Sequence, residues 1–459
     1  MNEFTISNII LIIIGGLLFF FMIIFSIVSL KEKESKAAVR SLLLAIILPI
    51  LYLLIALVTF PFQKEAALFL ILLTILALIV LFLPTKRLKV PLNETPDYKY
   101  DERDIVFSRR HLKTGTERHK EYYSKHPDKK NPDDSFRSKP GLLSSESKMY
   151  DPFAYSSAIA SFIAVSGFHD LVDGSVSDKK VEPDPLNISN YIKNWSRKLG
   201  ALNAGITELK EYHKYSHAGR RRNYGEPVIL NHKFAIAFTV EMDKYQVGCA
   251  PAGPTVMESA QQYLESGAVA VQVAALIRRL GFSARAHIDG NYQVLCPLIA
   301  RDAGLGEIGR MGLLMTPKLG PRVRISVVTT DLPLVIDDRN YEHSMIDFCG
   351  KCRKCAENCP PKAISFDSRK ETDGVNRWKI DSEACYTYWC IAGTDCAKCM
   401  RVCPYSHPDN FTHNFVRAGI RNSSVFRKFA IMMDDFFYGK KPKSLEIPEW
   451  MNFNVKFKC

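Results

Sequence analysis

The strongest constraint on this chain is a cysteine-rich stretch from Phe348 to Pro404, which holds nine of its twelve cysteines. The packing of a globular core does not require cysteines at this regular spacing. The first run reads C-x-x-C-x-x-C-x-x-x-C-P and comprises Cys349, Cys352, Cys355, Cys359 and Pro360. In such a run three thiolates bind one [4Fe–4S] cluster and the fourth cysteine binds a second cluster. The first run therefore predicts a partner run downstream.

The partner run is displaced at its first position. It consists of Cys396, Cys399, Cys403 and Pro404. The missing ligand is either Cys385 or Cys390, and we favour Cys385. The two runs then predict crossed ligation, with one cluster on Cys349, Cys352, Cys355 and Cys403 and the other on Cys359, Cys385, Cys396 and Cys399. Zinc needs only four sulfurs and leaves the double pattern unexplained, disulfides suit small secreted frameworks, and Cys390 is left as a free thiol.

Three apolar runs near the N-terminus predict membrane helices. Residues 7–30, 38–60 and 65–84 are nearly unbroken Ile, Leu, Val and Phe, and each is long enough to cross a bilayer core of roughly 30 Å. A cleaved signal peptide would need one such segment and a small-residue cleavage site, and a buried core hairpin does not explain three of them. We expect a multi-pass anchor in the cell inner membrane.

Positive charges predict the orientation of this anchor. The first connection carries Lys31, Lys33, Lys36 and Arg40, and the flank after the third run carries Lys86, Arg87 and Lys89, whereas the second connection has only Lys64. The positive-inside rule places the two basic segments in the cytoplasm. The catalytic part should then face a reducing compartment, and no twin-arginine export pattern contradicts this. The net charge of +13 fits anionic lipid, so no nucleic-acid partner is expected.

Five segments are expected. They are a three-helix anchor at 1–87, an extended linker or arm at 88–148, a catalytic core at 149–340, a two-cluster module at 341–415 and a C-terminal extension at 416–459 that packs on the core. Within the core we predict helices at 158–165, 188–200 and 255–280 and strands at 234–241, 284–288 and 323–330. Helices and strands mix without a regular βαβ rhythm, which indicates an α+β fold.

A glycine-rich loop precedes the first cysteine run. It reads AGLGEIGRMG over residues 303–312, with four glycines in nine residues that allow the backbone to approach a large ligand. A nucleotide loop is the obvious competitor, but no clear strand precedes the loop and no Walker lysine is present. On its own the loop could also be a tight turn between packed elements.

The order of several motifs resembles the catalytic subunit of corrinoid-dependent reductive dehalogenases. These motifs are ARDAGLGEIGRMGLLMTPKLGPRVR, VVTTDLPL, the first cysteine run, ACYTYW and CAKCMRVCPYSHP, and upstream pieces such as DIVFSRRHLKTGT and IRRLGFSA extend the likeness over roughly residues 100–410. More remotely the chain is similar to epoxyqueuosine reductase. Exported dehalogenases use a twin-arginine signal and a separate anchor protein, whereas this chain carries its anchor in front.

The resemblance implies a base-off corrinoid, two [4Fe–4S] clusters that pass electrons to cobalt, and a small organohalide substrate. It implies that the corrinoid contacts Gly304, Gly306, Glu307, Gly309, Arg310, Gly312 and Arg324. The electron donor would be a ferredoxin, a flavodoxin or a quinol-linked reductase. The Asp-x-His-x-x-Gly signature of other corrinoid proteins is absent, and His217 in Tyr215-Ser-His-Ala-Gly219 is read as a surface or structural histidine.

Family members use a tyrosine as proton donor beside a cationic side chain. Tyr263 is the candidate donor because it precedes IRRLGFSA as the family tyrosine precedes its equivalent, although a tyrosine packed on an apolar helix face is the alternative. Arg322 is the favoured cation, ahead of Arg310 and Arg324. Asn291 is a candidate substrate contact, with a turn position in Asp-Gly-Asn as the alternative.

Three functions compete at this point. The leading one is a membrane-anchored reductive dehalogenase. A corrinoid and iron–sulfur reductase of the epoxyqueuosine type is the second, and a membrane-bound electron-transfer protein without corrinoid is the third. More than two hundred residues separate the membrane runs from the cysteines, which is excessive for electron transfer alone.

Overall fold

The computed structural model describes residues 6–85, 94–220, 223–339 and 341–451. Its helices are α1 Ile6–Lys31, α2 Ser35–Leu57, α3 Gln63–Phe82, α4 Val106–Arg109, α5 Glu117–Lys125, α6 Pro127–Arg137, α7 Pro152–Gly167, α8 Pro185–Lys198, α9 Lys244–Gly248, α10 Gly253–Arg279, α11 Cys296–Asp302, α12 His343–Cys352, α13 Lys354–Glu357, α14 Ser382–Ala392, α15 Lys398–Arg401, α16 Phe411–Asn422 and α17 Ser424–Tyr438. Its strands are β1 Asn203–Glu208, β2 Phe234–Glu241, β3 Ala284–His287, β4 Glu307–Ile308, β5 Leu314–Met315, β6 Val323–Thr330, β7 Lys370–Thr372 and β8 Val375–Arg377.

The chain divides into two compact units. The first, called here the anchor unit, contains residues 1–88 and 409–443, and the second, the core unit, contains residues 89–408 and 444–459. The basic flank at Lys86, Arg87 and Lys89, on which part of the orientation prediction depends, lies outside the described residues.

The anchor unit contains the three predicted apolar helices. Helices α1, α2 and α3 are each long and apolar enough to cross a membrane, so the three predicted spans are confirmed as candidate membrane spans. Two polar contacts join these helices. The Ser26 hydroxyl donates to the Ala38 carbonyl at 2.9 Å, and the hydroxyls of Tyr52 and Thr74 share a hydrogen bond of 2.8 Å. Such pairing matters because a polar group without a partner is costly in hydrocarbon.

The C-terminal helices α16 and α17 also belong to the anchor unit, whereas the sequence predicted that residues 416–459 pack on the core. Aromatic contacts explain the difference. The Phe437 ring lies 4.8 Å from Phe25 of α1, and the Phe426 ring lies 5.1 Å from Phe82 of α3. The expected packing on the core applies to residues after 443, where the Leu445 amide donates to the Gly248 carbonyl at 2.9 Å.

The core unit is built on a four-stranded antiparallel sheet with strand order β1-β2-β6-β3. Alternating side chains of the strands point to opposite faces. Ile236 and Val328 pack with α7, α8 and α10 on one face, and Ala237 and Val327 pack with α11 on the other. Helices therefore cover both faces of the sheet, and the predicted α+β class is confirmed.

Most predicted elements of the core are found close to their predicted bounds. Strands β2 and β6 have the predicted bounds, and α10 runs from Gly253 to Arg279 where residues 255–280 were predicted. Helices α7 and α8 begin earlier than expected because Pro152 and Pro185 occupy their first turns, after N-caps at Asp151 and Asp184. The edge strand β1 was not predicted.

The described part of the arm, residues 94–148, is more ordered than its sequence indicated. It contains the short helices α4, α5 and α6, and Arg109 and Asp133 form a buried ion pair at 2.8 Å within it. Arg109 also binds Glu383 of α14 at 2.6 Å. The helical period is hidden because the helices are short and α6 contains Pro132. The described arm therefore packs on α14.

Candidate functional site

Four thiols converge where the first cysteine run meets the end of the second. Burial raises the pKa of the Cys403 thiol well above its usual range, and Cys349, Cys352 and Cys355 raise it further because they lie close by. Deprotonating these thiols without a cation would be costly, whereas iron binds thiolates directly. This group has the composition of the first predicted cluster.

A second group gathers around α14. Burial raises the pKa of Cys385 to about 12, and the neighbouring thiols of Cys396 and Cys359 add to the shift. Cys399 has Cys396, Cys385 and Cys359 among its neighbours. The backbone amide of Ala363 donates to the Cys359 sulfur at 3.3 Å. The described cysteines form no disulfide, so both groups fit cluster ligands.

Arg310 holds the first cysteine loop in place. Its buried guanidinium donates to the carbonyls of Cys349 at 3.0 Å, Gly350 at 3.2 Å, Ser365 at 2.8 Å and Asp367 at 2.8 Å, and it stacks on Trp378. These contacts occupy the donors that were predicted to bind a corrinoid. Arg310 therefore supports the iron–sulfur module.

The glycine loop also packs against protein. A Cβ atom on Gly306 would lie 2.1 Å from the Met315 carbonyl oxygen, and one on Gly309 would lie 2.6 Å from the Met315 side chain and 3.6 Å from the Cys349 sulfur. Gly312, with φ +75°, faces Ile380, and Gly304, with φ +77°, follows α11. Protein therefore packs against one side of Gly306, Gly309 and Gly312, as in the tight-turn alternative, and the corrinoid contact expected of the loop stays a prediction.

Glu307 is buried in a network of charges. Arg339 lies 3.3 Å from its carboxylate, and Arg339 also binds Glu94 at 2.8 Å. Burial raises the pKa of Glu307 to about 7, Arg339 opposes the shift and Glu94 adds to it. These partners tie the loop to residues before and after it, and the cofactor contact expected of Glu307 stays a prediction.

The raised pKa of Glu307 predicts a pH-dependent stability. The folded state binds more protons than the unfolded chain between about pH 4.5 and 7, so this residue's contribution to stability falls as pH rises through that window. Glu307→Gln removes the titration. We expect the thermal unfolding midpoint of the wild type to fall relative to Glu307→Gln when both are measured anaerobically at about pH 5 and about pH 8. Parallel pH profiles for the two proteins would contradict the buried carboxyl.

Tyr263 lies on α10 beneath a cation. The Arg324 guanidinium carbon is 4.8 Å from the centre of its ring. Burial raises the pKa of Tyr263 above its usual value, and Arg324 lowers it. The hydroxyl accepts and donates no hydrogen bond among the described residues, although the ring is only half-buried. The phenol therefore keeps its proton at neutral pH.

Asp395 connects this pair to the second group of thiols. Its carboxylate accepts from Arg324 at 3.0 Å and from the Ser259 hydroxyl at 2.5 Å, and it directly precedes Cys396. Among the described residues, Oδ1 of Asp395 and Nε of Arg324 are buried here without a hydrogen-bond partner. Asp395 and Ser259 were not predicted from the sequence. An acidic residue next to a displaced cluster cysteine was the available signal for Asp395.

Arg322 does not fill the predicted role of the cation over Tyr263. Its buried guanidinium donates to the Ser406 carbonyl at 3.0 Å and to Glu241 at 2.7 Å, and it also contacts the Met242 carbonyl. These partners join the start of β6 to the end of β2 and to the iron–sulfur module. Arg324, predicted as a corrinoid contact and a weaker candidate for the cation, stands over the ring.

A second polar pair, Arg220 and Tyr292, lies near Tyr263. Arg220 stacks on Tyr292 with its guanidinium carbon 4.8 Å from the ring centre and hydrogen-bonds the tyrosine hydroxyl. Burial raises the pKa of Asp289, while Arg220, His169, Arg110 and Arg324 lower it. Tyr263, Asp289, Tyr292, Arg220 and Arg324 are all half-buried. We call these five residues the polar recess, and of them the sequence had singled out Tyr263 and Arg324.

Asn291 is placed as a turn residue. Its side-chain oxygen accepts from Arg285 at 2.7 Å, its amide donates to the His169 carbonyl at 3.3 Å, and its backbone pairs with Ile288. The amide is therefore committed to holding the loop that carries Asp289. This agrees with the turn alternative more than with a substrate contact.

Two groups of four thiols beside a half-buried tyrosine, carboxyl and arginine cluster are the features of an iron–sulfur oxidoreductase. Comparison with known families agrees, because residues 348–407 match the model of the 4Fe-4S dicluster domain.

Individual relatives show which iron–sulfur oxidoreductases the chain is similar to. Tetrachloroethene reductive dehalogenase of Desulfitobacterium hafniense is 33% identical over 40% of this chain and 35% of that protein, and the enzyme of the same name from Sulfurospirillum multivorans is 27% identical over 58% and 59%. Epoxyqueuosine reductase of Pseudomonas aeruginosa is 25% identical over 47% and 63%. The structure of the catabolic reductive dehalogenase NpRdhA with 3-bromo-4-hydroxybenzoic acid is 27% identical, with a TM-score of 0.57 over 62% of this chain and 42% of that one.

The chain is thus a homologue of the reductive dehalogenases, and the resemblance read from its motifs is confirmed. Epoxyqueuosine reductase is a further relative. The chain spans between about a third and three-fifths of the dehalogenases that it matches.

Proposed function

We propose that this protein is a membrane-anchored reductive dehalogenase. The observation that carries the proposal is the position of Tyr263 and Arg324, which Asp395 links directly to the second thiol group. A proton donor thus stands at the end of an electron path, in a homologue of dehalogenases. The recess is the place in the core unit where electrons and a proton can meet.

Reductive dehalogenation consumes two electrons and one proton, converts the carbon–halogen bond into carbon–hydrogen, and releases halide. A base-off corrinoid would supply the cobalt that takes up the electrons and reacts with the organohalide. The unpartnered polar atoms of Asp395 and Arg324, which lies over Tyr263, support a polar ligand at the recess. Tyr263 gives up its phenolic proton, and Arg324 stabilises the phenolate that remains.

Crossed ligation supports delivery of those electrons. We assign Cys349, Cys352, Cys355 and Cys403 to one [4Fe–4S] cluster and Cys359, Cys385, Cys396 and Cys399 to the other. The two groups lie close together, because Cys355 is among the neighbours that raise the pKa of Cys399. The second cluster is then the one nearer to Tyr263, through Asp395, and passes electrons to the reacting centre.

Arg324 gives a prediction of its own. Arg324→Gln removes the cation that lowers the pKa of Tyr263, so the phenol becomes a weaker acid. We expect turnover to fall about tenfold or more, and the high-pH limb of the activity profile to move to higher pH. Arg324→Lys retains the charge without the planar fork and should lose less. Iron content serves as the control for folding, and an unmoved high-pH limb in Arg324→Gln would contradict the pairing.

Metal analysis of the purified full-length chain tests the proposal. Cobalt near one atom and iron near eight atoms per chain are expected, together with release of halide from an aryl or vinyl halide under reducing conditions. Cobalt-free protein with both clusters intact would favour a membrane-bound electron-transfer protein. Cobalt with turnover of an epoxyqueuosine-containing tRNA stem loop, and none of organohalides, would favour the second reductase.

The orientation of the anchor is also proposed. Lys31, Lys33, Lys36 and Arg40 lie in or beside the connection between α1 and α2, which favours that side as the cytoplasmic face of the inner membrane. The core unit would then receive electrons from a cytoplasmic ferredoxin or flavodoxin, or from a quinol-linked reductase. A reporter fused after Cys459 should be active in the cytoplasm, and a reporter active only outside it would reverse the topology.

A further inference from the structure

Helix α17 of the anchor unit exposes an apolar face. Val425, Met432 and Phe436 are 41%, 57% and 41% exposed, and Lys428 completes their stripe at helical spacing. The opposite side of the helix is buried. A helix bordered by water normally turns its polar side outward. The outward face of α17 is apolar, so it is suited to a neighbour other than water.

Helix α16 repeats this arrangement. Phe411 is 74% exposed and Phe415 is 42% exposed, and the exposed Ala418 follows at the next helical position. His413 of the same helix faces inward and binds Glu32 at 3.0 Å. Two consecutive helices therefore bury polar pairs while presenting aromatic and aliphatic side chains outward.

Contacts place both helices at one end of the candidate spans. The Phe415 ring lies 5.9 Å from Phe21 of α1 and 5.6 Å from Phe82 at the end of α3. The Ser424 amide donates to the Thr85 hydroxyl at 3.0 Å, just beyond α3. Where the apolar spans end, a bilayer changes from hydrocarbon to headgroups, so the exposed faces lie at that boundary.

The basic residues of this segment indicate which neighbour the exposed faces contact. Residues 409–443 contain seven Lys or Arg against three Asp, and Lys440, Lys441 and Lys443 follow α17 directly. Lys428 stands on the apolar stripe, where a long stem can lie along hydrocarbon while its ammonium reaches the headgroups. Helices with one apolar face and basic residues lie in the interface of anionic membranes.

We propose that α16 and α17 form an interfacial helix pair that lies in the headgroup region of the membrane crossed by α1–α3 and binds anionic phospholipid there. The inference requires that the three spans are inserted, but it does not depend on the dehalogenase activity. The anchor unit would then contact both the hydrocarbon core and the surface of the bilayer.

Photocrosslinking of the full-length chain in nanodiscs of phosphatidylcholine and phosphatidylglycerol tests the proposal. Met432→benzoylphenylalanine and Phe411→benzoylphenylalanine should each give phospholipid adducts on irradiation. Tyr191→benzoylphenylalanine, at an exposed tyrosine of the core unit, measures non-specific labelling. Adducts to a second copy of the chain would make the face a dimer contact, and labelling no greater than that of the Tyr191 variant would make it water-facing; either result overturns the proposal.

Lipid preference tests the charge. In nanodiscs of mixed composition, Lys428→Gln should lower the enrichment of phosphatidylglycerol over phosphatidylcholine around the chain by up to about fivefold, because one basic residue beside an anionic surface is worth that much. Lys198→Gln, at an exposed lysine of the core unit, is the matched control. An equal loss in both variants, or no loss in Lys428→Gln, would refute anionic selectivity.

Discussion

Tyr263→Phe is expected to abolish most dehalogenation while leaving the protein intact. The ring and its contact with Arg324 remain, and the lost hydroxyl leaves no described hydrogen-bond partner behind. Only the exchangeable proton disappears. A general acid contributes about a hundredfold to ten-thousandfold to rate, so turnover should fall by that range. Turnover of organohalide and the cobalt and iron contents are measured on the same preparation.

Two other candidates for the proton donor, Asp289 and Tyr292, lie in the same recess. Asp289 is a carboxyl whose pKa is raised by burial, so it holds its proton to higher pH than an ordinary aspartate. If Tyr263→Phe turned over at the normal rate with unchanged cobalt and iron, the assignment would be wrong. Asp289→Asn and Tyr292→Phe would then be the variants to compare, because these side chains share the recess with Tyr263.

Cys385→Ser is expected to remove one cluster, whereas Cys390→Ser should leave both. Cys385 faces Cys396 and Cys359, but Cys390 is buried against Val106, Phe136 and Tyr386 of the arm and α14. Iron should fall from about eight to about four atoms per chain in Cys385→Ser and stay near eight in Cys390→Ser. Dehalogenation should be lost in the first variant because electrons no longer reach the reacting centre.

The pair of variants is matched, since both cysteines lie on α14 five residues apart and receive the same substitution. A folding defect of the helix would affect both. The reverse result, with iron lost in Cys390→Ser and retained in Cys385→Ser, would make Cys390 the displaced cluster ligand in place of Cys385. A content of about four iron atoms per chain in the wild type would contradict the assignment of two clusters.

Strongly periodic elements could be predicted from sequence. Helix α10 was placed within two residues at either end, because its apolar positions repeat at helical spacing and Gly281 follows it. Strands β2 and β6 were placed with their bounds because β-branched and aromatic residues are frequent in both. Strand β1 and helices α4–α6 were missed, because their stability comes from a neighbouring strand and from contacts such as Arg109 with Glu383.

The site was harder to predict. Arg322 and Arg324 lie two residues apart, and nothing local distinguishes them. In the fold, Glu241 and the Ser406 carbonyl bind Arg322, whereas Arg324 reaches Tyr263 and Asp395. The glycines of the loop suited a cofactor equally well by sequence, but Met315 and Ile380 fill the space beside them.

The sequence by itself determined the three apolar spans and the spacing of cluster cysteines, because bilayer thickness and cluster size act on residues near one another in the chain. The tertiary structure alone decided which arginine lies over Tyr263, that Asp395 joins it to the thiols, and that α16 and α17 pack on the spans. These outcomes depend on contacts between distant segments, such as Phe82 with Phe426, whose energies no local pattern encodes.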